Sequence, residues 1–290
     1  MSWLPLLLVV LAAFIHASWN LMSKRAADAG PTFVFAYNLV ACVAYAPWVL
    51  WLLAHGHMRW SWAVAACILA SGVIHLAYSL CLQRGYQVAD LSVVYPVARG
   101  TGPMLSSLGA FLLLGETPTP LGLARLFAVV VGILLISTQG DLAAFRKPQG
   151  QAGVRWGTAT GGLIASYTVV DAYGVKSLGI VPVVLDWFSN LLRFFLLAPV
   201  VLRDAGRARR LMGSKWGLAV GVGLLSPLSY ILVLGALDMG APLSVVAPMR
   251  EMSMMVGALM GMVILRERVG PWRLAGCVVL VAGVIMLGAV

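Results

Sequence analysis

Of 290 residues, 61% are hydrophobic and 10% charged, and the mean hydropathy is +0.94; soluble domains are roughly half apolar and a quarter charged, so an ordinary soluble protein is excluded. The formal net charge is +10, yet Lys and Arg lie mostly in short connections between apolar runs, where they orient spans and meet anionic headgroups, and nucleic acid is not an expected partner. Cys42, Cys67, Cys81 and Cys277 fall inside apolar runs without CxxC spacing, which points to neither a disulfide framework nor a metal site.

Runs of about 20 apolar residues, the length that crosses ~30 Å of hydrocarbon, recur along the chain, and no segment alternates like a strand of an outer-membrane barrel. Ten helical spans are predicted, at 3–22, 32–53, 61–82, 91–114, 121–138, 154–175, 181–202, 215–237, 243–265 and 272–288. The first lacks the basic start of a signal peptide and is read as a retained helix. It carries His16 and Asn20 on one face, with Lys24 continuing the stripe outward. The third carries Ser71, His75 and Tyr78, and the eighth Ser226 and Tyr230. On the fourth, Tyr95 and Arg99 accompany Pro96, Gly100 and Pro103, which weaken the backbone ladder and are hinge candidates, as is Pro248 in the ninth. The sixth pairs Tyr167 with Asp171 at i, i+4, and the seventh places Asp186, Asn190 and Arg193 on one face. Trp48, Trp51, Trp60, Trp62, Trp156, Trp216 and Trp272 sit near span ends, as an aromatic belt would.

Leu91-Ser-Val-Val-Tyr-Pro96 returns 152 residues later as Leu243-Ser-Val-Val-Ala-Pro248, and at the same offset Lys24 matches Lys176, Asn38 matches Asn190, Tyr78 matches Tyr230 and Gly109 matches Gly261. After a one-residue slip, Leu114-Gly-Glu116 aligns with Leu265-Arg-Glu267. The chain therefore reads as two five-helix repeats, 1–140 and 154–290, joined by 141–153. Because five is odd, the second repeat enters the membrane from the opposite side, an inverted repeat with a substrate site expected at the interface. Connections after odd-numbered spans hold Lys24, Arg25, Arg84, Arg146, Lys147, Arg203, Arg207, Arg209, Arg210, Arg266 and Arg268, which the positive-inside rule assigns to the cytoplasm, leaving both termini outside.

The early proline of each fourth helix (Pro96, Pro248), the Leu-x-Glu at its end (Glu116, Glu267), the Gly-containing fifth helix at Gly132-Ile-Leu-Leu and the stretch Asp90-Leu-Ser-Val-Val-Tyr-Pro-Val-Ala-Arg-Gly-Thr-Gly-Pro103 resemble the drug/metabolite transporter superfamily in its EamA branch. That resemblance covers nearly the whole chain. It implies an exporter or exchanger of amino acids, metabolites or drugs, with a central cavity lined by helices 1, 3, 4, 6, 8 and 9. It also implies cytoplasmic termini, against the charge distribution, and here the charge distribution leads.

Arg99 and the Arg250-Glu251 pair lie about eight residues into their spans, roughly 12 Å below the surface, where an unpaired charge costs at least ~2.5 kcal/mol. The offset sets Arg99 against Glu251, so the two are expected to pair across the fourth and ninth helices, leaving Arg250 or a shared rim for an anionic substrate group; an ion pair that only fixes helix register is the alternative. Substrate contacts are expected from Arg99, Arg250, Glu251, His16, Asn20, His75, Tyr78, Tyr95, Tyr167 and Tyr230, and candidate proton carriers are Glu251, Asp171 and His16. Glu116 and Glu267 are read as structural. No Walker loop, GxSxG elbow, HExxH pair or dinucleotide fingerprint is present, which argues against an ATP-driven pump, and no cofactor is expected.

The expected protein is an all-α polytopic membrane protein of ten transmembrane helices in two inverted five-helix repeats. It is a secondary transporter of the bacterial-type inner membrane, exporting or exchanging a small polar or zwitterionic, amino-acid-like metabolite by alternating access. Its partners are that small molecule and the lipid bilayer; proton coupling, and the choice between monomer and homodimer, stay open. A flippase of a lipid-linked substrate and an intramembrane enzyme using His16 and His75 are the alternatives.

Overall fold

The computed structural model describes residues 3–89, 91–141, 143–146, 148–265 and 270–288. Among them are helices and no strand: α1 (Trp3–Arg25), α2 (Gly30–Ala54), α3 (Trp62–Val88), α4 (Leu91–Leu113), α5 (Pro120–Thr138), α6 (Pro148–Lys176), α7 (Pro182–Leu202), α8 (Ala205–Met212), α9 (Trp216–Asp238), α10 (Leu243–Arg250), α11 (Met252–Leu265) and α12 (Pro271–Gly288). Each expected span is a helix, except that the ninth is split into α10 and α11. The short α8 lies in what reads in sequence as a polar connection.

Sequence chemistry sets the boundaries. Proline opens α2, α5 and α7, where its missing N–H costs nothing. The Ser61 hydroxyl accepts from Val64 N at 3.2 Å and the Thr119 hydroxyl from Gly122 N at 3.0 Å, capping α3 and α5. Asp204 caps α8 through Arg207 N at 2.8 Å. Helix α6 begins at Pro148, ahead of the expected 154, because nothing between 148 and 154 breaks a helix that already has proline in its first turn.

Six stretches are long and apolar enough to cross a membrane on length and composition alone: Trp3–Ser23, Gly30–Ala54, Trp62–Leu82, Pro120–Thr138, Pro182–Leu202 and Ala205–Asp238. Helices α4 and α6 are instead diluted by glycine, serine, threonine and arginine, residues that membrane helices place against other helices. They pack on each other. Gly102, Gly109 and Gly157 leave no room for a side chain there, since a Cβ at these positions would stand 2.6–2.9 Å from Ile164, Val169 and Val97.

The helices pair in a pattern that exchanges the two halves. Helix α1 packs on α9 as α6 packs on α3; α2 meets α9 as α7 meets α3; and α2–α7, α5–α12 and α4–α10 are each a helix against its own repeat mate. This is the neighbour table of a twofold relation. The α5–α12 contact is backbone on backbone: a Cβ on Gly132 would lie 2.7 Å from Leu280 N, and one on Gly276 would lie 2.6 Å from Ile136 N. The halves 1–140 and 154–290 are thus interleaved, each using the other as its main packing surface.

A core of Val9, Ile133, Ile180, Leu185, Leu234, Leu237, Leu243 and Met249 is fully buried at the meeting of both halves. Leu112, Leu113, Phe127, Val278 and Trp272 are exposed, as suits a surface that faces lipid. Arg25, Arg84, Arg203, Arg207, Arg209, Arg210 and Lys215 gather at the end where α1, α3 and α7 finish. Lys215 donates to Asp28 there, which joins the start of α9 to the α1–α2 turn and holds the Asp28 carboxyl below its usual range. Lys147, Arg266, Arg268, Asp90 and Glu267 lie outside the described residues.

Candidate functional site

Two copies of one sequence motif meet at the centre of this bundle and behave differently. Helix α4 runs unbroken through Pro96, Arg99, Gly100 and Pro103. Its counterpart stops at Arg250. Pro248, like Pro96 in α4, has no N–H to give to the preceding turn, but only here does a tight turn follow, the Glu251 N–H bonding Pro248 O at 3.1 Å while its carbonyl accepts from Met254 N at 2.9 Å. Glu251 therefore stands between a helix end and a helix start, with Arg250 in the last turn of α10 and the positive end of α11 beside the carboxylate.

Arg99 Nε approaches Glu251 Oε2 at 3.0 Å, and Arg250 Nε lies 3.7 Å from Glu251 Oε1. The Nε–H groups are not aimed at the carboxylate oxygens, so these are ion contacts rather than aligned hydrogen bonds. Arg99 spends its outer nitrogen elsewhere, with Nη2 3.3 Å from both His16 Nε2 and Ser253 Oγ, and its guanidinium lies 5.7 Å from the centre of the Tyr95 ring. The Glu251 side chain is 0% exposed and that of Arg99 8%. Two guanidinium groups and one carboxylate give this sealed centre an excess of positive charge, and His16 Nε2 faces an arginine N–H.

A second polar cluster lies among α3, α6 and α9. His75 stacks on Tyr167 at 3.9 Å between ring centres and meets Tyr230 edge-on at 5.5 Å, while Tyr78 meets Tyr167 at 5.6 Å. The Tyr230 hydroxyl donates to Asp171 Oδ2 at 2.5 Å, and His75 Nε2 stands 3.9 Å from the same oxygen. His75 Nδ1 donates to the Ser71 carbonyl at 2.9 Å. Asp171 is completely buried, and its Oδ1 has no hydrogen-bond partner among the described residues.

Other candidates turn inward on their own elements. The Asn20 amide donates to the His16 carbonyl at 2.9 Å, one turn back on α1, and so is occupied within its own helix. On α7, Asn190 donates to Asp186 Oδ2 at 2.8 Å and accepts from Arg193 Nη2 at 2.8 Å, a chain of contacts confined to that helix. Pro96 and Pro103 lie within continuous α4, and the Pro96 side chain is outside the described set.

Ser253 and Trp19 are additions to the sequence reading. Trp19 touches His16 edge-on at 4.7 Å and donates to Ser229 Oγ at 3.1 Å; its place one turn after His16 was the available signal. His16 and His75 have different partners, Arg99 for one and the Asp171 cluster for the other. Among the described residues no group of three or more His, Cys, Asp or Glu is placed to hold a metal.

Gly115, at φ 71°, swings the chain after α4 so that Glu116 reaches across to the other repeat. Its carboxylate accepts from Leu243 N at 2.6 Å, Ser244 N at 3.0 Å and Ser244 Oγ at 2.6 Å, capping α10 at the second copy of the repeated hexapeptide. Lys176 Nζ lies 3.4 Å from Glu116 Oε1 and donates to the Ala241 carbonyl at 3.1 Å. The structural reading of Glu116 is what the geometry gives.

Residues 3–138, the first five spans, match the model of the EamA-like transporter family. On that half the chain belongs to the EamA-like transporter family. The coarse function follows: a multi-pass membrane transporter of the drug/metabolite type. A solved crystal structure superposes on the transporter with a TM-score of 0.77, covering 98% of each chain at 18% identity, so the second half shares the fold as well. A search of the curated proteins gives no match.

Proposed function

We propose that the protein is a secondary transporter of a bacterial-type inner membrane, exporting or exchanging a small polar or zwitterionic, amino-acid-like metabolite by alternating access of two inverted repeats. The observation that carries this reading is the sealed centre of Arg99, Arg250 and Glu251, held half by a continuous helix and half by a broken one. Its net positive charge suits a carboxylate or similar anionic group. Broken helices at mid-membrane are the usual way to present charges to a solute while keeping backbone away from lipid. The twofold exchange of neighbours supports rocking of one half against the other as the means of exposing the centre to either side. The charge asymmetry supports a cytoplasmic location for the end bearing Arg25, Arg84 and Arg203–Arg210.

The test is counterflow in proteoliposomes with a panel of amino acids and related metabolites. At least one zwitterion is expected to exchange, and Arg99→Gln is expected to lower its rate about a hundredfold or more, the loss of ~3 kcal/mol from a charge-assisted contact. A well-expressed Arg99→Gln protein with unchanged counterflow would sink the substrate-binding role.

A further inference from the structure

Five acid or imidazole groups, Glu251, His16, Asp186, Asp171 and His75, surround the centre of this protein among the described residues, and three already have their charge answered. Glu251 lies between two guanidinium groups, at 3.0 Å and 3.7 Å. His16 offers its Nε2 lone pair to Arg99 Nη2. Asp186 is linked to Arg193 through the Asn190 amide. Asp171 is different: among the described residues, no Lys or Arg nitrogen comes within 4.0 Å of its carboxylate.

What faces Asp171 from each packed element defines what it lacks. From α3 come His75, Ser71 and Cys67; from α9, Tyr230; from α6 itself, Tyr167 one turn back. From α7 come Arg193 and Asp186, and from α10 Arg250, all at longer range and with the nearer partners already described. A carbonyl can only accept, so the bond from His75 Nδ1 to the Ser71 carbonyl places the imidazole proton on Nδ1. Nε2 then turns a lone pair toward Asp171 Oδ2, acceptor against acceptor, at 3.9 Å. One proton on either atom removes that repulsion.

We propose that Asp171 and His75 together form a proton-binding site, and that the proton it holds is the coupling ion of transport. The coupling part rests on the transporter reading above. The proton arrives from water on one side of the membrane, is held on the Asp171 carboxyl facing the His75 Nε2 lone pair, and returns to water on the other, so nothing else is consumed. The site shares no hydrogen bond or ion pair with the Arg99–Glu251 centre among the described residues.

The test is pH-difference infrared spectroscopy of the intact protein in lipid, followed by transport. The C=O stretch of one protonated carboxylic acid is expected to appear as pH is lowered. It should be lost in Asp171→Asn and kept in Glu251→Gln. Tyr230→Phe, which removes a donor to the ionised form, should move the midpoint to higher pH, and this variant decides the matter if Asp171→Asn fails to fold. A band that survives Asp171→Asn, that disappears in Glu251→Gln, or that never titrates overturns the site. In proteoliposomes a pH gradient should drive accumulation of the counterflow substrate at least tenfold; counterflow indifferent to the gradient overturns the coupling. Absence of counterflow for every solute overturns the transporter reading instead, while the spectrum still decides the proton site.

Discussion

Arg99 and Glu251 show how one residue pair couples stability to function. Removing one member of a buried pair leaves the other charge uncompensated, which costs about 3–5 kcal/mol. Glu251→Gln is therefore expected to lower the melting temperature in detergent strongly, since it strands two guanidinium groups at once. The double variant Arg99→Gln/Glu251→Gln should recover at least half of that loss while transport stays absent; a double variant no more stable than Glu251→Gln would mean that the two charges do not act on each other. This pair was legible from sequence, because the repeat offset alone set position 99 against position 251. Ser253 was not, since a serine in an apolar run carries no periodic signal and only the broken helix turns it toward Arg99. For Asn20, helical spacing shows which face the side chain occupies, and the structure adds that its amide donates to its own backbone.

At the scale of elements, the two copies of Leu-Ser-Val-Val-x-Pro begin alike and end differently. The same proline leaves α4 continuous and stops α10, so the break reflects what surrounds Glu251 rather than the motif. Sequence placed a helix at every expected span, with ends up to six residues out at α3 and α6, yet it gave no sign of the interruption, because Met252–Leu265 is apolar enough to continue the helix. Helix α8 was hidden differently: four arginines between Arg203 and Arg210 read as a loop, and its helical form follows from the Asp204 cap and from Met212 packing beneath α2 and α9.

Two tests belong at this scale. Glu116→Ala removes the cap of α10 and is expected to cost about 1–2 kcal/mol in thermal unfolding, whereas Lys176→Met, a partner in a half-exposed pair, should cost less than about 1 kcal/mol. Gly132→Ala should destabilise by about 1–3 kcal/mol, since its methyl group would meet Leu280 backbone. Gly100→Ala meets only Val130 at 3.7 Å, so its melting temperature should hold; slowed transport with unchanged stability would mark it as a hinge.

Across the whole molecule, the duplication is an interface as much as a history. Because α1 lies on α9, α4 on α6 and α5 on α12, neither half has a closed surface of its own. Residues 1–146 and 147–290 expressed as separate chains are each expected to be degraded, and to form a protease-resistant complex when expressed together; a stable, protease-resistant first half alone would contradict the interleaved packing. The repeat offset in the sequence was enough to expect two related halves. Which helices touch was not, since hydropathy records how apolar a span is and not which neighbour it meets.

The Arg99–Glu251 contact also has a consequence in time. Its two partners are 152 residues apart in the chain, so at synthesis rates of ~5–20 residues per second the arginine emerges roughly 8–30 s before its counter-ion exists. During that interval the fourth span must sit in the bilayer, or wait in the insertion machinery, with a charge that lipid does not accept. Assembly of this protein is therefore expected to pause after its first half, and ribosomes stalled between residues 138 and 251 should hold α4 still exposed to water-soluble reagents until the ninth span arrives.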